Sequence, residues 1–327
     1  MNFKKLITTG IMALAALASF AEPTVTDVVA KQRYPWNDLV DITCKVTGIN
    51  GMGNRLYFAV AAVMGDSDNT RNLSHFWVVQ DGTNSVDLAV HTNGSYRLIW
   101  DAKADLGQVT YDNMVVRVNL EAHRKVQLWE RGPFWADTNI GAENPEDYGS
   151  YFWWGDTVGY KCENDKWVAS NGSSSNFSFS DSNTPTYGKS TDTLKSEGWI
   201  STDEILVPMH DAAHVHWGGA WRMPTKQELD DLKNNCDWIW TTMNGVNGYV
   251  VKGKNAYASA SIFLPCAGHV DGTSLYNAGS GSKYWSSVPH SDNIAWYLYF
   301  SSFGYNTDYR QLRHFGQTVR PLQGFTN

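Results

Sequence analysis

The stretch KYWSSVPHSDNIAWYLYFSSFGYNTDYRQLRHFGQTVRP (Lys283–Pro321) decides how the second half of this chain is read. A core strand wants aliphatic side chains, and a solvated loop avoids rings. Here tyrosine, phenylalanine and histidine are interleaved with serine, asparagine and aspartate. Within it, IAWYLYFS (Ile294–Ser301) alternates like a strand. Period two puts Trp296, Leu298 and Phe300 on a face suited to a core, and Ala295, Tyr297 and Tyr299 on the other, which the pattern predicts to face outward. His290, Ser291, Asp292 and Asn293 precede this strand; Phe303, Tyr305, Asn306, Asp308, Tyr309, His314 and Phe315 follow it. The composition is that of a paratope, in which tyrosine gives large rigid contact area at low entropy cost and small polar residues give adaptable hydrogen bonds. An aromatic core of tandem hairpins accounts for Trp285, Trp296, Leu298, Phe300 and Val319, but not for the alternating polar and aromatic loop positions. The expectation is a ligand-binding surface built from His290 to Asn293, Tyr297, Tyr299, Phe303, Tyr305, Asn306, Asp308, Tyr309, His314 and Phe315.

Upstream, WRMPTKQELDDLKNNC (Trp221–Cys236) carries a helix start. Thr225 stands three residues before Glu228, the spacing of a capping box, and Leu229, Leu232 and Cys236 then recur on one face. HDAAHVHWGG (His210–Gly219) reads as a short helix ending at glycine. Its His210 and His214 are four apart, as metal ligands on one helical face are, and Asp211 and His216 are close by. No third ligand can be named and no HExxH pattern is present, so the segment reads as a surface helix with a histidine near Trp217, and no metal or other cofactor is assigned.

The four cysteines, Cys44, Cys162, Cys236 and Cys266, are far apart and form no CxxC pair. A Cys162–Cys236 bridge and buried thiols are both open; Cys266, inside the apolar IFLPCAG, reads as buried. A nucleophilic thiolate needs an activating neighbour, and His269 follows Cys266 by three residues, but apolar surroundings raise a thiol pKa. No G-x-S-x-G elbow, P-loop or GxGxxG motif is present. The chain is not expected to be an enzyme.

The 327 residues are 42% hydrophobic and 18% charged, a globular balance that makes two domains the default. A net charge of −7 argues against nucleic-acid binding through a basic surface. Residues 1–21 read as a secretory signal peptide: Lys4 and Lys5, a short apolar run from Leu6 to Phe20, and Ser19 and Ala21 before the cut. The run is shorter than a membrane span, no later segment is long and apolar enough, and the expected location is secreted, periplasmic or cell-surface. Residues 22–122 hold β-rich runs at Leu39–Gly48, Arg55–Met64, Ser95–Ala102 and Asn113–Ala122, separated by turn formers such as NGMGN and GDSDN. They predict an all-β, immunoglobulin-like sandwich. Trp36-Asn37-Asp38 matches a calcium-lectin triplet but lacks its partners, and is read as chance. EAHRK (Glu121–Lys125) is the linker, residues 123–327 form the second domain, and Ala169–Gly198 is a Ser/Asn/Thr-rich surface loop.

Taken in order, LWERGPFWADTNIGAENPEDYGSYFWWGDTVGYK (Leu128–Lys161), WGGAWRMPTKQEL (Trp217–Leu229), WTTMNGVNGYVV (Trp240–Val251), SIFLPCAGHVDGTSLYNAGSGSKYWSS (Ser261–Ser287) and GQTVRP (Gly316–Pro321) resemble the bacterial major-paralogous-domain proteins, close to the formylglycine-generating-enzyme branch of the C-type lectin fold. The resemblance implies an α+β fold: a C-type-lectin-like domain with a short twisted sheet, few helices and much ordered loop, behind the β-sandwich. That enzyme branch uses a cysteine pair or Cys/Ser pair near its C-terminus, whereas Cys266 is the last cysteine here and has no such neighbour. The Glu-Pro-Asn or Gln-Pro-Asp triplet of sugar-binding calcium lectins is also missing. The YWSS…VRP frame is similar to that of variable proteins of diversity-generating retroelements, whose randomised positions exclude Lys, Glu, Gln, Met and Trp; Ser286–Phe315 contains no Lys, Glu or Met, and its Trp296 and Gln311 are read as fixed frame with the strand aliphatics. The resemblance therefore implies a ligand-binding protein with a diversified surface and a protein or glycan partner outside the cell. The alternatives are a structural or adhesive envelope protein and an oxidase of the formylglycine-generating type.

Overall fold

The computed structural model describes residues 23–33, 38–49, 56–64, 70–80, 83–85, 89–90, 92–107, 114–164, 166–172 and 177–324. The expected signal peptide (residues 1–21), Trp36 and Asn37, and the NGMGN and GDSDN segments lie outside the described residues. The chain divides into two compact units, Met1–Leu120 and Glu121–Asn327.

The first unit is built from antiparallel strands. One sheet runs Thr24–Gln32, Leu39–Thr47, Gly94–Asp101, Phe76–Gln80, Thr83–Ser85 in spatial order; the other joins Thr70–Asn72, Leu56–Met64 and Ala89–Val90, with Met114–Glu121 also paired to Leu56–Met64. The alternation in the sequence explains the core. Val40, Ile42, Cys44 and Val46 point inward from one sheet, Phe58, Val60, Ala62 and Met64 from the other, and all belong to one buried cluster with Leu98 and Trp100. Asp105, buried at its margin, is well paired. Asp105 accepts the Trp100 indole N–H at 2.9 Å and the Ser74 hydroxyl and His75 Nδ1 at 2.8 Å each.

The second unit is mostly antiparallel sheet with few helices. A three-stranded sheet closes its two ends together: Lys125–Gln127, Phe134–Ala136 and Leu322–Gln323. A second sheet is Asp237–Met243, Val246–Lys252 and Ser261–Pro265. A third, the C-terminal sheet, is Gly281–Ser291, Ile294–Ser301 and Gly304–Leu312. The helix over Lys226–Asn235 begins as the sequence predicts: Thr225 accepts the Glu228 amide and Glu228 reaches back to the Thr225 amide. Leu229, Leu232 and Cys236 are buried under it. The short helix Ala212–Trp217 ends at Gly218, again as predicted. The Ser/Asn/Thr-rich segment is more structured than its composition predicts, because Ser190 caps a short helix, Thr191–Ser196, whose Leu194 is fully buried.

The C-terminal sheet is covered on both faces, and this corrects the expected outward row. Tyr284, Leu298 and Phe300 enter a cluster with Leu229, Leu232, Tyr249 and Leu264. Their alternate neighbours Trp285, Ala295 and Tyr297 enter another with Phe152, Trp154, Met223 and Val319. Ala295 and Tyr297 are therefore buried, not outward. The period-two assignment of faces holds; what it cannot supply is the chain segment around Val319 that packs on the second face. Trp296 departs in the opposite sense. It lies toward the sheet margin, half-buried under Lys226 and Arg310, whose cations are 5.3 and 5.7 Å from its ring centre.

Candidate functional site

Two buried arginines fix the frame of the site. Arg320 donates to Asn139 Oδ1 at 2.8 Å and to the carbonyls of Ala136, Asp137 and Phe263 at 2.8–3.2 Å. Arg313 donates to the carbonyls of Thr186, Lys189, Ser291 and Asp292 at 2.6–3.3 Å and lies 4.9 Å from the Trp154 ring centre. A guanidinium carries five donors in a rigid fork, so each arginine satisfies carbonyls from segments far apart in sequence. Arg313 thus holds the Thr186–Lys189 segment and the Ser291–Asp292 turn against the end of the sheet.

On the face that carries Trp285 and Tyr297, the strand register sets Lys283 opposite Tyr299, Trp285 opposite Tyr297, and Tyr297 opposite Tyr309. Antiparallel partners share a face, so one lysine meets a tyrosine row. The Lys283 Nζ lies 5.5 Å from the Tyr297 ring centre and 5.6 Å from that of Phe315. Tyr309 packs on Tyr297 and Tyr299 with centroids 6.0 and 5.3 Å away. From Phe315 the chain of rings continues to His314 (4.7 Å) and Tyr187 (5.4 Å) on one side, and to His269 (5.8 Å) and Tyr276 (5.7 Å) on the other. Tyr276 and Tyr309 are 48% and 45% exposed, whereas Tyr297 is 5% exposed and forms the floor.

His269 and Tyr276 come from a small hairpin, His269–Asp271 with Ser274–Tyr276, and its seating is backbone-driven. Gly268 has φ +71°, and a Cβ there would stand 2.2 Å from the Tyr276 carbonyl oxygen, so only glycine fits. Its amide donates to Gly281 and its carbonyl accepts from Lys283, while Val270 and Gly316 exchange both backbone hydrogen bonds. The hairpin is thereby hung between the lysine strand and the segment that carries Phe315.

The electrostatics follow from partial burial. Desolvation lowers the Lys283 amine to about 8, opposed by the Asp271 carboxylate. Burial also lowers His269 to about 4, with the Lys283 charge acting in the same direction. His314 is lowered by burial and raised by Asp271 and Asp181. Its Nε2 is 3.9 Å from Asp271 Oδ1, and its Nδ1 is buried with no hydrogen-bond partner. Among the described residues no carboxylate lies within ion-pairing distance of the Lys283 ammonium, and no acceptor hydrogen-bonds it.

The expected site residues are thus split. Tyr297, Tyr299, Tyr309, His314 and Phe315 are brought together. His290 lies across the sheet, edge-on to Trp296 at 4.7 Å. Tyr305 stacks on Trp238 at 4.3 Å, Phe303 is 99% exposed at the tip of the hairpin, and Asp308 pairs with Lys226 at 2.9 Å. Ser291 and Asp292 give their carbonyls to Arg313, as the Asn293 carbonyl accepts the Arg313 amide, and the Asn306 side chain accepts the Asp308 amide. These shape turns and edges instead of joining the ring surface. The residues missed from sequence are Lys283, His269, Tyr276 and Tyr187. Lys283 was legible in principle, since it has the same parity as Trp285 one strand away from the tyrosines.

The other candidates have structural partners. Asp211 caps its helix, accepting the amides of Ala213, His214 and Met223 at 2.9–3.1 Å. His210 stacks on Trp199 at 3.9 Å. His216, not near Trp217 as a ring contact but edge-on to Phe152 at 5.6 Å, has its Nε2 3.0 Å from the Thr157 carbonyl. Among the described residues no group of three or more His, Cys, Asp or Glu side chains is arranged to hold a metal. All four cysteines are free, so Cys162 and Cys236 are not bridged. Burial pushes the Cys266 thiol up to about 12. No family model, curated protein or solved structure matches the chain.

Proposed function

We propose that this chain is a secreted or cell-surface ligand-binding protein: an immunoglobulin-like sandwich followed by a C-type-lectin-like domain that presents the ring surface around Lys283 to a protein or glycan. The observation that carries the reading is the row of half-exposed Tyr276 and Tyr309 with partly buried Tyr299 and Phe315, on a floor of Tyr297 that belongs to the core cluster beneath it. Rigid tyrosines over a packed floor bind with little loss of side-chain entropy. Contact through side chains is also favoured by the blunted edge of the outer strand, Gly304–Leu312. There the Asp308 and Leu312 amides are occupied by the Asn306 and Gln311 side chains, which leaves fewer free donors for an added strand. Binding without catalysis is supported by the full burial of Cys266, whose thiol is held protonated.

The test is selection of binders from a displayed peptide library and a glycan array against the intact protein, followed by Tyr309→Ala. Binders that lose affinity in a folded Tyr309→Ala protein support the reading. Failure of every selected binder to respond to Tyr309→Ala sinks it. Diversification is read separately, by deep sequencing of the DNA that encodes residues 283–321 in a growing population; an invariant segment rejects it.

A further inference from the structure

The ring surface contains a charge that has no ion-paired or hydrogen-bonded partner among the described residues. Lys283 is inside the second unit's C-terminal sheet, and its ammonium lies over the Tyr297 ring. A lysine kept only for its stem ordinarily carries its ammonium out into water. This one is held between two rings, at 5.5 and 5.6 Å, near the outer limit for a cation–π contact, and all three N–H donors lack an acceptor among the described residues. The groups that face it come from the adjacent strands, the turn beyond them and the small hairpin. Tyr297 and Tyr299 come from the adjacent strand, Tyr309 from the next, His314 and Phe315 from the turn beyond, and His269 and Asp271 from the small hairpin. Only Asp271 is acidic, and it lies closer to solvent, 48% exposed, with His314 Nε2 at 3.9 Å. A second, independent donor or acceptor is idle close by: His314 Nδ1 is buried and unpartnered.

We propose that the ligand of this surface is an acidic peptide segment of a protein, and that a ligand Asp or Glu carboxylate seats on the Lys283 ammonium between Tyr297 and Phe315. The inference rests on the display reading given above. Charge complementarity selects the occupant: a partly desolvated ammonium without a counter-ion gains most from a carboxylate, and the hydrogen bond to it is charge-assisted. The flanking tyrosines take the apolar part of the peptide, which favours a protein segment over a carbohydrate chain that offers mostly hydroxyls. Lowering of the amine by desolvation fits the same geometry and sets its working range, since the pairing needs the protonated form.

The experiment pans a random twelve-residue peptide library against the intact protein at pH 7, then measures the selected peptides on Lys283→Met and Tyr309→Ala. The expected result is enrichment of Asp and Glu among peptides that depend on Tyr309. Their affinity falls about tenfold or more on Lys283→Met, the scale of one charge-assisted hydrogen bond. It falls again as pH rises through about 8. Lys283→Arg, which keeps the charge, retains part of the affinity and separates charge from packing. Tyr309-dependent peptides without acid enrichment, binding Lys283→Met as tightly as the original, overturn this inference and leave the display reading standing. Selected peptides that are all indifferent to Tyr309→Ala overturn both. Tyr309-dependent binding of uronic- or sialic-acid oligosaccharides, with no acidic peptide selected, overturns the peptide assignment.

Discussion

Arg320 Nε donates to Asn139 Oδ1 at 2.8 Å, and this bond ties the segment just before the strand Leu322–Gln323 to a loop 181 residues earlier. The same guanidinium serves three backbone carbonyls, and both side chains are buried. Replacing Arg320 with methionine keeps most of the volume but strands those carbonyls and the Asn139 amide oxygen without donors. A loss of about 2–4 kcal/mol is expected, since each buried acceptor left unsatisfied costs about 1–3 kcal/mol and relaxation recovers part. Urea denaturation followed by tryptophan fluorescence reads it; an unchanged midpoint shows that the arginine is not a structural tie.

Tyr297 and Tyr309 are stacked neighbours with opposite expected phenotypes. Tyr297 is buried against Trp285 in a core, so Tyr297→Ala is expected to cost about 3–5 kcal/mol, the range for emptying a large aromatic site. Tyr309 is 45% exposed, so Tyr309→Ala is expected to cost about 1 kcal/mol or less and to act on binding instead. Thermal melts of the two variants side by side decide the matter. Equal destabilisation would make Tyr309 core and remove the display surface.

The helix Lys226–Asn235 shows what a sequence specifies by itself. Its capping box and its buried face depend on spacings of three and four residues, so both are visible from Thr225, Glu228, Leu229 and Leu232 alone. Thr225→Ala is expected to cost about 1 kcal/mol, and Thr225→Ser close to nothing. Arg222, which pairs with Glu228 and also donates to the Gly324 carbonyl at 2.7 Å, could not be placed from spacing, because its second partner lies 102 residues away. The site divides in the same way. The parity of Tyr297 and Tyr299 is a local property and is read correctly. Burial of Tyr297 is decided by Val319 and Lys283, and the ring chain is completed by His269 and Tyr276, which reach the sheet only through the Gly268 turn. Phe303 and Tyr305 look equivalent to Tyr309 in composition, yet the hairpin puts Tyr305 on Trp238 across the sheet.

The cysteines give a chemical ranking. Cys162 is exposed, while Cys44, Cys236 and Cys266 are buried with their thiols pushed up to about 11, 12 and 12. Iodoacetamide on the native protein is expected to label Cys162 alone, with the other three appearing only in denaturant. Rapid native labelling of Cys266 would revive the oxidase alternative and count against a purely binding role.

Lys283 is expected to cost stability while it waits for a ligand. In the folded protein the amine titrates near 8, whereas in the unfolded chain it keeps its ordinary 10.5. Between those values the unfolded state holds more protons, so the contribution of this group to stability rises with pH from about 8 to about 10.5 and is at its worst below about 8. Lys283→Met removes the penalty. Its Tm at pH 7 is expected to exceed that of the original protein, and the gap is expected to close as pH climbs toward 10.5. Taking the difference between the two proteins at each pH cancels the ionisation of the tyrosines they share. A variant that is more stable at pH 7 and poorer at binding marks a residue retained for recognition, the trade-off seen where function needs an unfavourably placed charge. A variant less stable at pH 7 would instead make the stem of Lys283 a packing element over Tyr297, with its charge already compensated in the fold.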